Sequence, residues 1–279
     1  MKRSIGFLSM AALGVALAAP AASAAVIGAT VADASSGNYT LTSVSVTRGG
    51  AGTFTYVPSQ LTGVDLTDVG ATGGVLLIEN GASLPAPSTR AALIEDGRLD
   101  TGVINPVSVI AAADFSFELT FLTPVTNSDG EDILVFETGG NDTTRFFINN
   151  DRAGSFKDIA PANFSPALLT GVPFSTVNYN NAGDADINTL AELESATGFG
   201  APVASSGNIH AAGLNLSDFG VPLGGTISSI RFQSTGSNRI DPVLIVALPA
   251  VPEPAGLALL GAGALGLIRR RRAARRVSS

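Results

Sequence analysis

The stretch from Asp114 to Leu122 carries the strongest structural signal in the chain, because apolar and polar residues alternate along it. In an extended strand, Phe115, Phe117, Leu119 and Phe121 fall on one side. A period of two is typical of a strand with one face buried and one face solvated. The sequence therefore predicts a β-sheet whose core lies on the side of these phenylalanines.

Turn-forming residues separate this strand from similar ones at roughly ten-residue spacing, as in antiparallel sandwiches. The later predicted strands are 132–138, 144–149, 209–216, 226–233 and 242–248. One helix is predicted over 188–196 with Asn188 or Asp186 as its N-cap, and 161–173 is predicted to be a loop. Together these patterns predict an all-β fold, a jelly-roll-like antiparallel β-sandwich formed by a single domain over 25–250.

The first 24 residues have the pattern of a signal peptide. Lys2 and Arg3 precede an apolar run over 5–19, which predicts a signal helix, and Ala22 and Ala24 supply the small residues of a cleavage site. Signal peptidase is therefore a predicted partner, with cleavage after Ala24. A permanent membrane anchor is the alternative interpretation of the same run.

The last 29 residues, 251–279, form a second processing segment in which Pro252, Glu253 and Pro254 precede an apolar run over 255–268. As a helix this run is about 21 Å long, short of the roughly 30 Å hydrocarbon core, and arginine snorkelling can close the gap. It is predicted to be a short transmembrane helix, with a buried helix as the alternative. The arginines that follow predict a cytoplasmic anchor: Arg269, Arg270, Arg271, Arg272, Arg275 and Arg276.

The order of Pro-Glu-Pro, short apolar span and arginine block resembles the PEP-CTERM sorting tail of Gram-negative surface proteins. The resemblance implies that an exosortase cuts near Pro252-Glu253-Pro254. It also implies export through the inner membrane, transient contact with that membrane through the tail, and a final location at the cell surface or outside the cell.

The body between these segments is strongly acidic. The whole chain has a net charge of −7, although Lys2, Arg3 and the tail arginines hold half of its 16 basic residues. An acidic body repels nucleic acid, so we predict no nucleic-acid partner. The chain has no cysteine, so the core forms without disulfides.

Two turns lie close together at Asp96-Gly97 and Asp100-Thr101-Gly102. The segment resembles a loop of discoidin and galactose-binding-like jelly rolls, and that resemblance implies a calcium ion held by carbonyl oxygens and a carboxylate. We therefore predict calcium as a cofactor at Asp96 and Asp100, with solvated turns as the alternative. Two further acidic clusters, within 127–132 and 184–188, are weaker candidates.

Catalytic chemistry has little support in the sequence. His210 is the single histidine, and no Gly-x-Ser-x-Gly motif is present, so a serine triad is not indicated. We predict a non-enzymatic structural or adhesive protein of the extracellular polysaccharide or biofilm, with exopolysaccharide as a ligand. The alternative is a secreted glycan hydrolase that uses paired carboxylates.

Overall fold

A computed structural model describes thirteen stretches of the chain. They are 26–32, 39–48, 52–72, 75–79, 103–104, 108–111, 115–128, 130–149, 154–180, 186–195, 198–199, 203–234 and 242–251. The strands are β1 (Val26–Ala32), β2 (Tyr39–Arg48), β3 (Gly52–Tyr56), β4 (Val64–Ala71), β5 (Val75–Glu79), β6 (Val103–Ile104), β7 (Ser108–Ala111), β8 (Phe115–Thr126), β9 (Ile133–Thr138), β10 (Thr144–Ile148), β11 (Phe156–Ile159), β12 (Leu169–Asn180), β13 (Gly198–Phe199), β14 (Val203–Leu214), β15 (Thr226–Ser234) and β16 (Pro242–Ala247). A short helix, α1, covers Leu190–Glu194, and 3₁₀ turns cover Pro58–Gln60, Pro161–Asn163 and Leu216–Phe219.

All the strand pairs in these stretches are antiparallel, and the strands form three sheets. A four-stranded sheet has the order β1-β2-β3, with β6 paired to β2. A five-stranded sheet has the order β11-β10-β15-β8-β4, and a seven-stranded sheet has the order β16-β9-β14-β12-β5-β7 with β13 paired to β12. The prediction of a mostly antiparallel all-β fold is confirmed.

The seven-stranded sheet has a hydrophobic core on each face. Along β9, Ile133 and Val135 pack into a core with the five-stranded sheet, whereas Leu134 and Phe136 pack into a core with the four-stranded sheet. This split follows from the strand period, because neighbouring side chains point to opposite faces. It explains why every residue of β9 is buried. The sandwich therefore has three layers, with the seven-stranded sheet in the middle.

The strand β8, which has the strongest signal in the sequence, buries the face that its alternation of apolar and polar residues predicts. In β8, Phe115, Phe117, Leu119 and Phe121 are buried in the core between the five- and seven-stranded sheets. The Phe117 ring stacks on Phe232 of β15, with 5.2 Å between ring centroids. The inward face assigned from sequence is confirmed.

Two local predictions differ from the structure. The segment 161–173 is predicted to be a loop, but β12 begins at Leu169 and contains Pro173. A register shift between Leu169 and Val172 surrounds Gly171, whose φ is 65°, and such irregularities accommodate proline within a sheet. The predicted helix is shorter than expected, and its N-cap is Thr189, whose hydroxyl accepts a hydrogen bond from the Glu192 amide.

Candidate functional site: the C-terminal junction of the body

The C-terminal end of the body meets the rest of the fold at Arg48, the last residue of β2. Arg48 has the same strand parity as Val44 and Val46, so its side chain belongs to the buried face of β2 and is 0% exposed. It pairs with Gly52 across the β2–β3 hairpin. The fold thus carries a positive charge to the end of the core between the four- and seven-stranded sheets.

The Arg48 guanidinium donates hydrogen bonds to four residues. Its Nη2 donates to Asp132 Oδ1 at 3.0 Å and to the Ser128 hydroxyl. Its Nη1 donates to the Pro249 carbonyl oxygen at 2.6 Å and to the Tyr56 hydroxyl oxygen at 3.3 Å. Only a planar group with several donors can serve these acceptors at once, which makes this a site for arginine rather than lysine.

The Asp132 carboxylate is held as closely as its partner. It accepts hydrogen bonds from the Ser128 amide at 2.9 Å, the Ser128 hydroxyl at 2.8 Å and the Leu216 amide at 3.0 Å, in addition to Arg48. Burial raises the pKa of the Asp132 carboxyl, and the bonds from Leu216 and Ser128 and the charge of Arg48 oppose that rise. The pair is fully buried, with both side chains 0% exposed.

Three successive residues at the end of β16 are each held by a different part of the fold. Ala247 exchanges two backbone hydrogen bonds with Thr62, at 3.0 and 2.7 Å. The Leu248 amide donates to the Asp132 carbonyl oxygen at 2.8 Å, and the Pro249 carbonyl accepts from Arg48. Ala250, which follows, is exposed. Hydrogen bonds therefore attach the C-terminal end of the body to the rest of the fold as far as Pro249.

The remaining predicted site residues lie outside the stretches that the structure describes. They are Ala22 and Ala24 of the signal cleavage site, Asp96 and Asp100 of the calcium loop, Pro252, Glu253 and Pro254 of the sorting motif, and Arg269, Arg270, Arg271, Arg272, Arg275 and Arg276 of the anchor. These assignments stay predictions, as do the signal helix and the short transmembrane helix. In the part of the chain that is described, no helix is long and apolar enough to cross a membrane.

Two members of the acidic cluster at 127–132, Asn127 and Asp132, have hydrogen-bond partners within the protein. Asp132 is paired with Arg48, and Asn127 Nδ2 donates to the Ser217 hydroxyl at 3.1 Å and to the Val221 carbonyl oxygen at 2.5 Å. The Glu131 side chain is buried. Within the described ranges, no group of three or more histidine, cysteine or acidic side chains is arranged to hold a metal ion. The bonds of Asn127 and Asp132 therefore join the loop before β9 to the turn Leu216–Phe219 and to Arg48.

His210 lies on β14, as the sequence indicates. Its Nδ1 is 2.9 Å from the Ser165 carbonyl oxygen, so Nδ1 carries the hydrogen and donates it. The ring also lies against Gly140, where an added Cβ would approach the His210 Cγ to 2.7 Å. These contacts give His210 a structural role in joining β14 to the segment that precedes β12.

A cleft of about 410 Å³ lies where the ends of β4, β8 and β15 meet the segment before α1. Four of its lining residues have uncharged polar side chains: Thr72, Ser116, Asn188 and Gln233. Asn188 is exposed, whereas Phe115 at the same cleft is buried in the core. The cleft therefore offers hydrogen-bonding groups rather than an aromatic platform.

Comparison with known proteins identifies the segment that follows this junction. Residues 250–272 match the family model of the PEP-CTERM protein-sorting motif. The matched range includes Pro252, Glu253 and Pro254 and ends at Arg272, before Arg275 and Arg276. No curated protein and no solved structure matches the chain, so the similarity to discoidin-like jelly rolls stays a prediction. The sorting motif implies export, processing by an exosortase and a cell-surface or secreted location.

Proposed function

We propose that this protein is a non-catalytic structural or adhesive component of the cell surface or extracellular polysaccharide matrix. The observation that carries the proposal is the sorting motif at 250–272. It begins directly after Pro249, which is the last hydrogen-bonded residue in the described part of the three-layer β-sandwich. A protein with this arrangement delivers a large folded body to the outside and is separated from its address by a single cut. After that cut, the folded body alone performs the function of the protein.

The acidic side chains of the body support a structural role. Paired carboxylates of a glycoside hydrolase must face a shared substrate and be free to act as acid and base. Four acids of this body instead lie next to basic side chains: Asp132 by Arg48 at 3.0 Å, Asp158 by Arg145 at 2.8 Å, Asp218 by Lys157 at 2.8 Å and Glu118 by Arg231 at 3.6 Å. These four acids therefore lie in ion pairs that join strands and loops of the fold.

The cleft beside α1 is the favoured place for glycan contact. Its uncharged polar side chains, which include Asn188 and Gln233, match the hydroxyl groups of a neutral sugar in hydrogen-bonding capacity. An acidic polysaccharide would be repelled by the net negative charge of the chain, so a neutral glycan fits better. We therefore assign neutral exopolysaccharide as the ligand of an adhesive role.

A binding and hydrolysis assay on the secreted body tests this proposal. We expect retention on neutral exopolysaccharide or a glycan array, loss of retention in Asn188→Ala and Gln233→Ala, and normal retention in Ser59→Ala. Ser59 is a matched control because it is exposed on the turn Pro58–Gln60 and does not line the cleft. Absence of binding would contradict the adhesive role. Release of reducing ends from a glycan would favour the carboxylate-dependent hydrolase instead.

A further inference from the structure

We propose that Arg48 is a positioning residue for C-terminal processing: it fixes Pro249 on the folded body, so that the sorting motif leaves the body at one defined point. This inference rests on the proposed exosortase processing of the chain. Its structural basis is the bond from Arg48 Nη1 to the Pro249 carbonyl oxygen, at 2.6 Å. We call Arg48 together with Asp132, Ser128 and Tyr56 the C-terminal clamp.

The clamp is part of the body's core and cannot open without disturbing it. Arg48 and Asp132 are both 0% exposed, and withdrawing the arginine would leave a buried carboxylate without its countercharge. The two residues before Pro249 are held as well, Ala247 by Thr62 and Leu248 by the Asp132 carbonyl. The bond to Pro249 therefore extends a row of backbone contacts to within one residue of the motif.

The end of β16 shows why the exit point matters for the body. Leu244, Val246 and Leu248 pack into the core with the four-stranded sheet, and Ile245 and Ala247 pack into the core with the five-stranded sheet. Loss of this strand would remove side chains from both cores at once. A cut beyond Leu248 leaves the side chains of both cores in place, whereas a cut within β16 removes some of them.

The spacing between the clamp and the membrane-directed part of the tail is short. Five residues separate Pro249 from Ala255, where the predicted apolar run begins, so the connecting chain spans at most about 22 Å. Before processing, the clamp therefore holds this end of the body close to the membrane surface. Each residue released from the body would lengthen the connection by about 3.5 Å and move the cut site relative to the fold.

The first measurement uses the wild-type protein. Hydrogen exchange on the full chain should show protection of the Ala247 and Leu248 amides comparable to that in the middle of β16, and rapid exchange of the Ala250 amide. Rapid exchange at Ala247 and Leu248 would overturn the proposal without any variant.

The second measurement compares Arg48→Lys with Phe117→Leu by native-state proteolysis of the full chain and mass spectrometry. Phe117→Leu is the matched control because it weakens the core and leaves the clamp unchanged. We expect the protease to shorten the wild type and Phe117→Leu from the C-terminal end only as far as Ala250. In Arg48→Lys, we expect it to remove Pro249 and residues before it as well. If all three proteins end at the same residue after proteolysis, the clamp does not fix the point at which the sorting motif leaves the body. The same conclusion holds if both variants are shortened past Pro249 to the same extent.

The third measurement follows processing in a host that has an exosortase. We expect the ratio of precursor to processed chain to change at least twofold in Arg48→Lys and to stay at the wild-type value in Phe117→Leu. An unchanged ratio in Arg48→Lys would overturn the positioning role. If the wild type is not processed at all, the proposed sorting fails, and the proteolysis limits still decide whether the clamp holds Pro249.

Discussion

Arg48 Nη2 lies 3.0 Å from Asp132 Oδ1, and neither side chain is exposed to solvent. The two residues are 84 positions apart in the chain and come from different elements, the end of β2 and the loop before β9. Burying both charges is unfavourable unless each has its full set of partners. Here Ser128 and Leu216 donate to the Asp132 carboxylate and the Pro249 carbonyl accepts from Arg48, so that of the two side chains' polar atoms only the buried Arg48 Nε has no partner. The pair therefore joins the first hairpin, a central loop and the C-terminal exit.

Removing the arginine should destabilise the body strongly. Arg48→Met leaves the Asp132 carboxylate buried without a countercharge, and we expect a loss of about 3–5 kcal/mol in the free energy of unfolding. Denaturant melts of the purified body measure it. The double variant Arg48→Met with Asp132→Leu should recover part of that loss, because the two side chains act as one unit. If the separate losses of Arg48→Met and Asp132→Leu simply add in the double variant, the pair is not coupled as we describe.

The phenylalanine core of β8 should be sensitive to truncation on one face only. Phe117 is 0% exposed and stacks on Phe232, so Phe117→Ala should cost about 3–5 kcal/mol. Leu122 is on the same strand but 54% exposed, so Leu122→Ala should change stability by less than about 0.5 kcal/mol. Urea melts of the two variants compare them directly. Similar losses would mean that the inward face of β8 is not the one described.

The arginines after the apolar run should be needed for sorting. Replacing Arg269–Arg272 by serine removes four positive charges that we predict to keep the end of the chain on the cytoplasmic side. We expect immunoblots of cell fractions to show unprocessed or mislocalised protein for this variant. A parallel variant replaces Arg275 and Arg276. Wild-type processing of the Arg269–Arg272 variant would contradict the role of these residues.

The loop at Asp96 and Asp100 should bind calcium if its turns aim their oxygens at one point. Binding to the folded form alone would stabilise the body by about 2.7 kcal/mol at a hundredfold excess of calcium over the dissociation constant. We expect a higher melting temperature in calcium than in chelator at matched ionic strength, and no such difference in Asp100→Ala. Equal melting of the wild type in both buffers would leave these aspartates as turn residues.

The alternation of apolar and polar residues predicts a strand of this protein well where one face of the strand is polar. It predicts a strand less well where the strand contains a bulge. The alternation in β8 identifies both the strand and its buried face, because period two is a property of the strand itself. Proline and glycine around Gly171 predict a loop, but a bulge there lets β12 continue through Pro173. The pairing of β12 with β5 and β14 stabilises that strand, and pairing is not visible in local sequence.

The position of Arg48 in β2 contains a sequence signal for a buried charge. Its parity matches that of the buried Val44 and Val46, which already indicates a buried arginine at the end of a strand. A buried charge requires a countercharge, so the sequence implies an acidic partner. It does not say which of the 23 acidic residues that partner is.

The sequence by itself determined the sorting motif at one end of the chain, the β class of the body and the face that β8 buries, and it predicts a signal peptide at the other end. Each of these depends on residues close together in sequence: charge and small residues at a terminus, or the alternation within one strand. Only the tertiary structure decided that the sandwich has three layers, that Asp132 is the partner of Arg48, and that Pro249 is held beside the sorting motif. These depend on contacts between segments far apart in the chain, and such contacts are set by the joint packing of the sheets rather than by local residue pattern.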